Sequence, residues 1–305
     1  MSLLAINQDV EIMYSGTVYL ILSIFLPPLY YIIITVIHNK DSKAPNMTYK
    51  LMNIINFLQL SQGMIHFITS PALIFSGLLI KFDVILRILG CIMNSCWIAD
   101  LPVMALLAVY RIFIFRNIIG SKACHTSMKI ILSLIFSWIL FIILAGCITQ
   151  NIKLSPPMWG YDMEVPYAAL FDTLEIYLSF SCLSISYIAY LIIIFLIFEK
   201  RNIHSSVKSR KHEISILLQF TFVTAYVSFL VVIWHPALFS VLSFIDRTNR
   251  INQSIVTGLW ILHCYVNPVL MLVFNRSIRE DVLNFNFRCT NKVQPVVNVS
   301  ASVLY

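Results

Sequence analysis

The run QSIVTGLWILHCYVNPVLMLVF, residues 253–274, decides the fold. It holds 22 residues and no charged side chain. At ~1.5 Å of rise per residue, a helix of that length crosses a hydrocarbon core of ~30 Å. Asn267 and Pro268 stand late in the run. A proline in a membrane helix frees a carbonyl one turn back, which needs a new partner, and the Asn267 amide could supply it or bridge to a neighbouring helix. Directly after Phe274, Ile278, Val282, Leu283 and Phe285 or Phe287 recur at helical spacing. That pattern predicts a short amphipathic helix on the membrane surface over 275–288.

Composition agrees. Hydrophobic residues make up 59% of the 305-residue chain and charged ones 11%, against ~25% charged in an ordinary soluble domain. The charges cluster between long uncharged runs, which read as spans at 14–37, 49–80, 86–115, 127–149, 167–198, 214–242 and 253–274. Pro27 and Pro28 predict a kink in the first. In the second, Asn53, Asn56, Gln59, Gln62 and His66 recur every three or four residues, so they share one face turned away from lipid. The predicted class is therefore an all-α membrane protein, a seven-helix bundle without a separate soluble domain. Residues 151–166 read as a loop with Pro and Gly but no cysteine. The seven cysteines suggest no disulfide framework.

Seven spans put the termini on opposite sides. Sixteen of the 21 Lys and Arg fall on the side of the C-terminal tail and five on the other. The positive-inside bias makes the tail cytoplasmic and the N-terminus extracellular. Topology thus accounts for the net charge of +7 without nucleic acid. The expected organisation is a short outer segment 1–13, a membrane domain 14–274, the surface helix 275–288 and a tail 289–305. Residues 1–13 lack the basic start and small-residue cleavage site of a signal peptide. Cys289, just past the surface helix, is a palmitoylation candidate.

With seven spans and this orientation, the motifs resemble those of rhodopsin-like G protein-coupled receptors. Arg111 ends the third span where that class carries Asp-Arg-Tyr. Trp234-His235-Pro236 is similar to its Cys-Trp-x-Pro, and Asn267-Pro268-Val269-Leu270-Met271 to its Asn-Pro-x-x-Tyr. The departures are informative. Val109-Tyr110 precede Arg111, Met271 replaces the tyrosine, Gln59 stands about where the class has Asp, and the 151–166 loop lacks the cysteine that usually ties it to the third span. Such drift, with Tyr49-Lys50-Leu51-Met52 opening the second span, resembles the nematode chemosensory receptors of serpentine class T or a sister such as class X.

The resemblance implies a plasma-membrane receptor that binds a small molecule and activates a heterotrimeric G protein, with no cofactor or metal and with room for a receptor oligomer. Its ligand cavity would be lined by Met93, Asn94, Trp97, Trp234, His235, Leu238, Val241, Thr257, Trp260 and Ile261. Arg111, Trp234, Pro236, Asn267 and Pro268 would carry activation and coupling. Such an apolar, aromatic lining suits a small, largely uncharged ligand. Each residue also has a plainer reading. Arg111 could extend its guanidinium to the headgroups, and Trp234 could be a packed aromatic beside a kink. Asp100 reads as the only acid deep in a span, so it should face the interior with a partner. Two roles stay open for it: a hub with Gln59 and Asn267 that holds a cation or switches, or a protonated acid bonded to a neighbouring helix. Asp172 and Glu175, one turn apart near the outer end of the fifth span, read as a solvated rim.

A rival class is a seven-span zinc hydrolase using His66, His235, His263 and Asp100. Depth opposes it, since His235 lies ~10 Å from the outer end of its span and His66 ~21 Å from its own. A retinal pump would need a lysine in the last span, which has none.

Overall fold

Asp9 starts the first helix by accepting hydrogen bonds from the backbone N–H groups of Glu11 and Ile12. In a computed structural model, residues 3–116, 126–200, 207–235 and 249–285 are described. Pro236, Leu238, Val241, Cys289 and the 289–305 tail lie outside them. Helix α1, Val10–Ile24, begins within the short outer segment 1–13. Ahead of it, the Asn7 N–H bonds the Ile74 carbonyl at 2.8 Å and its side chain bonds the Leu73 carbonyl at 3.1 Å. Pro27 and Pro28 have no N–H to continue a helical ladder, so the chain restarts at Phe25 as α2, Leu26–Lys43, with the prolines in its first turn. Together α1 and α2 form the first span.

Helix α3, Met47–Ile74, ends six residues earlier than the expected second span. Phe75 adopts an extended conformation and a separate short helix, α4 (Ser76–Lys81), follows. Of the inward stripe of α3, Asn56, Gln59, Gln62 and His66 are buried and Asn53 is half-buried, while Phe57 and Ile68 on the opposite face are exposed. Six other helical stretches among the described residues are long and apolar enough to cross a membrane. The polar stripe keeps α3 out of that set, yet it is the seventh long helix of the bundle and packs on α1, α2 and α5 (Asp83–Phe115). Helix α5 is the axis. Of its apolar window 72% is buried, against 17% in α6 (Thr126–Thr149), which presents most of its surface to lipid.

The 151–166 segment is more ordered than a loop. Strands β1 (Ile152–Ser155) and β2 (Met158–Tyr161) pair antiparallel and bury Ile152, Leu154 and Trp159. Trp159 lies on Gly90 of α5, where an added Cβ would fall 2.5 Å from the indole, so only glycine admits the contact. Arg87 fixes the hairpin: its guanidinium bonds Asp162 at 2.8 Å, the Gln150 carbonyl at 3.2 Å and Asp83 at 2.9 Å. This cluster ties the cysteine-free segment to the third span. Burial opposes ionisation of Asp162, but the hydrogen bonds from Arg87 and the Glu164 backbone, with the nearby Arg87 and Lys153 charges, together outweigh it and hold the carboxyl below its ordinary value.

Helices α7 (Ala168–Lys200) and α8 (Val207–Trp234) pack on each other, and α9 (Arg250–Phe274) packs on α8, α3 and α1. The surface helix, α10, spans Arg276–Leu283 with Asn284 at its C-cap; residues 286–288 of the expected 275–288 lie outside the described residues. Ile278 is its buried anchor, and Lys40 of α2 grips it through Asp281 at 2.6 Å and Ser277 at 2.7 Å.

Candidate functional site

The interior is arranged in layers from the N-terminal face of the bundle to the opposite face. The first layer is a buried polar cluster built from four elements. Glu175 of α7 is buried and has three neutral donors: Tyr161 Oη at 2.6 Å, Asn94 Nδ2 at 3.2 Å and Trp97 Nε1 at 3.0 Å. His235, at the end of α8, points Nδ1 at Asp172 (3.3 Å) and Nε2 at Glu175 (3.6 Å). Burial, then the neighbouring Glu175 charge, hold the Tyr161 hydroxyl well above its ordinary pKa, so it stays a donor. Asp172 and Glu175 were expected at a solvated rim, with Asp100 the only deep acid. Glu175 corrects both expectations, because donors from α5 and β2 replace the water it gives up, while Asp172 stays partly exposed. The available signal was Asn94 and Trp97, also one turn apart.

Beneath it lies an aromatic layer. The Trp260 ring meets Trp234 at 4.6 Å, His66 at 5.6 Å and Trp97 at 5.8 Å between centroids, all edge to face. Trp97 also meets His263 edge-on at 5.3 Å. The Trp260 N–H donates to Gln62 at 2.9 Å. Trp97 thus joins the layers, its N–H held by Glu175 and its ring against Trp260 and His263.

The third layer centres on Asp100. Gln59 Nε2 donates to Asp100 Oδ2 at 2.9 Å, and His263 Nε2 approaches the same oxygen at 3.3 Å. Tyr30 places its hydroxyl 3.0 Å from Gln59 Oε1 and 2.6 Å from the Cys264 carbonyl. That carbonyl is the one Pro268 frees, so Tyr30 of the first span supplies the partner, not Asn267. The Asn267 amide serves the next layer down: it donates to Asn56 Oδ1 at 3.0 Å and accepts from Gln219 at 3.3 Å. His263, one turn nearer the N-terminal face, takes the place beside Asp100 expected for Asn267.

At the opposite face Arg111 is buried rather than extended to the headgroups, with its guanidinium carbon 4.7 Å from the Phe220 ring centroid. Of the expected cavity lining, Met93, Asn94, Trp97, His235, Thr257, Trp260 and Ile261 are all buried and Trp234 half-buried. A groove of about 620 Å³ opens between α1 and α9, lined by none of the ten. His66, His235, His263 and Asp100 do not converge: among the described residues no group of three His, Cys, Asp or Glu could hold a metal ion.

A family model described as the serpentine-type seven-transmembrane G protein-coupled chemoreceptor Srt matches residues 4–294. The chain belongs to the Srt family. Compared with curated proteins, it matches none. This Srt chain is accordingly a multi-pass membrane protein of a chemoreceptor family, with a seven-helix bundle. Its departures from the rhodopsin-like pattern have structural counterparts. Gln59 is itself the donor to Asp100, Arg87 bonds the cysteine-free hairpin segment to the third span through Asp162, and Tyr110 before Arg111 is completely buried.

Proposed function

We propose that this Srt chemoreceptor sits in the plasma membrane with its N-terminus outside, binds a small, largely uncharged molecule in the half of the bundle near that terminus, and activates a heterotrimeric G protein at the cytoplasmic face. It performs no chemistry of its own. The observation that carries the reading is the position of Trp97. Its N–H belongs to the Glu175 cluster, and its ring contacts Trp260 and His263, so a ligand that disturbs the outer cluster also disturbs the layer holding Asp100. Ligand contact would then bias an existing equilibrium between packings, moving α8 relative to α9. Arg111, packed over Phe220 of α8, would be uncovered as that helix shifts. The positive-inside bias supports the orientation, and the family match supports the receptor class.

The experiment is a panel of small apolar and polar compounds applied to cells carrying the full-length receptor and a G protein activation reporter. A concentration-dependent signal, absent without the receptor, is expected. Direct release of product from hydrolysable membrane substrates by the purified protein would overturn the reading.

A further inference from the structure

The groove between α1 and α9 has no part in the account above. Val18, Leu22, Ile255 and Leu259 make its walls apolar, and Ile255 and Leu262 are exposed, so it opens sideways on the lipid-facing surface. Gly258 stands in the α9 wall, where an added Cβ would meet no atom within 4 Å. Glycine weakens a helix interior, and no close approach explains this one; its effect is to keep the groove open.

At its inner side the groove ends on Tyr19. Tyr19 also lines a second, smaller cavity of about 10 Å³, bounded by Pro157 and Trp159 of the hairpin segment. That is room for about one water-sized group. One buried atom here, His66 Nε2, has no hydrogen-bond partner, and Thr257 Oγ1 meets only the Tyr19 hydroxyl; the two residues are 2% and 1% exposed. Unpartnered polar atoms at such depth are costly. Tyr19 lines both spaces, its hydroxyl 3.0 Å from the Ser254 carbonyl and 3.4 Å from the Pro157 carbonyl. Beyond the cavity, His66 lies against Trp260, the centre of the aromatic layer.

We propose that groove and cavity form one ligand site, entered from the bilayer, for a membrane-dissolved aliphatic alcohol. The chain occupies the groove, and the hydroxyl passes Tyr19 to reach His66 Nε2 and Thr257 Oγ1. A hydroxyl both donates and accepts, so it satisfies either histidine tautomer and the threonine at once. Glu11 at the outer end of the groove disfavours an anionic head, and the apolar walls below it favour an uncharged one. The ligand class deepens the receptor reading and rests on it for signalling, but binding at this site does not depend on a G protein.

The test uses the full-length protein in lipid nanodiscs and three photoreactive diazirine probes of equal chain length: an alcohol, an alkane and a phosphatidylcholine. The alcohol should label residues 18–22 and 254–259 about tenfold more than the alkane, the preference that two added hydrogen bonds give. His66→Phe keeps a ring against Trp260 and should bring the alcohol down to the alkane's level. Gly258→Phe fills the groove and should remove labelling there by both, with the unfolding temperature unchanged. Equal labelling by all three probes would mean ordinary lipid contact and overturn the proposal, as would labelling that Gly258→Phe leaves intact. No alcohol labelling in a receptor that still activates its G protein would reject this site alone and leave the receptor reading standing.

Discussion

Two buried acids face two buried histidines in this bundle, and they are provided for very differently. Glu175 has three neutral donors from two other elements, and His235 beside it. Asp100 has one amide donor and His263, and its Oδ1 has no hydrogen-bond partner. The first arrangement pins α5, α7, β2 and the end of α8 together, because any separation strands several donors at once. The second has slack, since one carboxylate oxygen is free to take a new partner when the helices move. The difference assigns the outer acid to architecture and the central acid to change of state.

The comparison breaks first at Glu175. Glu175→Leu strands up to three donors at ~1–3 kcal/mol each, which is enough to remove most folded protein from the membrane. Glu175→Gln keeps an acceptor for part of the set and should fall between. Fluorescence-detected size-exclusion yield and unfolding temperature read both variants, and a Glu175→Leu protein as stable as the parent would mean the cluster is not a clamp.

Asp100 should give a smaller effect. Asp100→Leu leaves the Gln59 amide and His263 without their shared acceptor, at ~1–3 kcal/mol for each group. Asp100→Asn restores an oxygen to Gln59 and adds a donor, so its yield should stay near that of the parent. An Asp100→Asn protein that misfolds as badly as Glu175→Leu would erase the distinction between the two acids.

Smallest is the hairpin tie, which sharpens the comparison because it holds the roof over the Glu175 cluster. Arg87→Ala should loosen β1 and β2 by about 2 kcal/mol, the value of hydrogen bonds to a charged group. Faster hydrogen exchange of the 152–161 amides would show it. Since the Asp162 carboxyl is held below its ordinary value, its contribution is complete above pH ~3.9 and is lost only as pH falls through the lower folded value. Protection of those amides should therefore not change between pH 7 and pH 5.

Much of this bundle can be read in the sequence, because lipid imposes its pattern on each span separately. Uncharged runs, the Pro27-Pro28 restart and the inward stripe of α3 need no knowledge of a neighbour. What the sequence hid depends on neighbours. Glu175 is indistinguishable from a surface acid until donors arrive from α5 and β2. His263 and Asn267 stand one turn apart on the same face, so choosing which meets Asp100 requires the relative depth of α5 and α9. The Cys264 carbonyl, freed by Pro268, finds a tyrosine 234 positions away in the chain. Strands of four residues gave the hairpin too little alternation to register.

The central claim is that the layers transmit a ligand signal to Arg111. Its most direct test is nucleotide exchange on a heterotrimeric G protein by the full-length receptor and its Arg111→Ala variant in nanodiscs, with an agonist found in the cell panel. Ligand binding should be equal in the two, and exchange should fall by at least about tenfold in the variant. Equal exchange in both proteins would contradict the account.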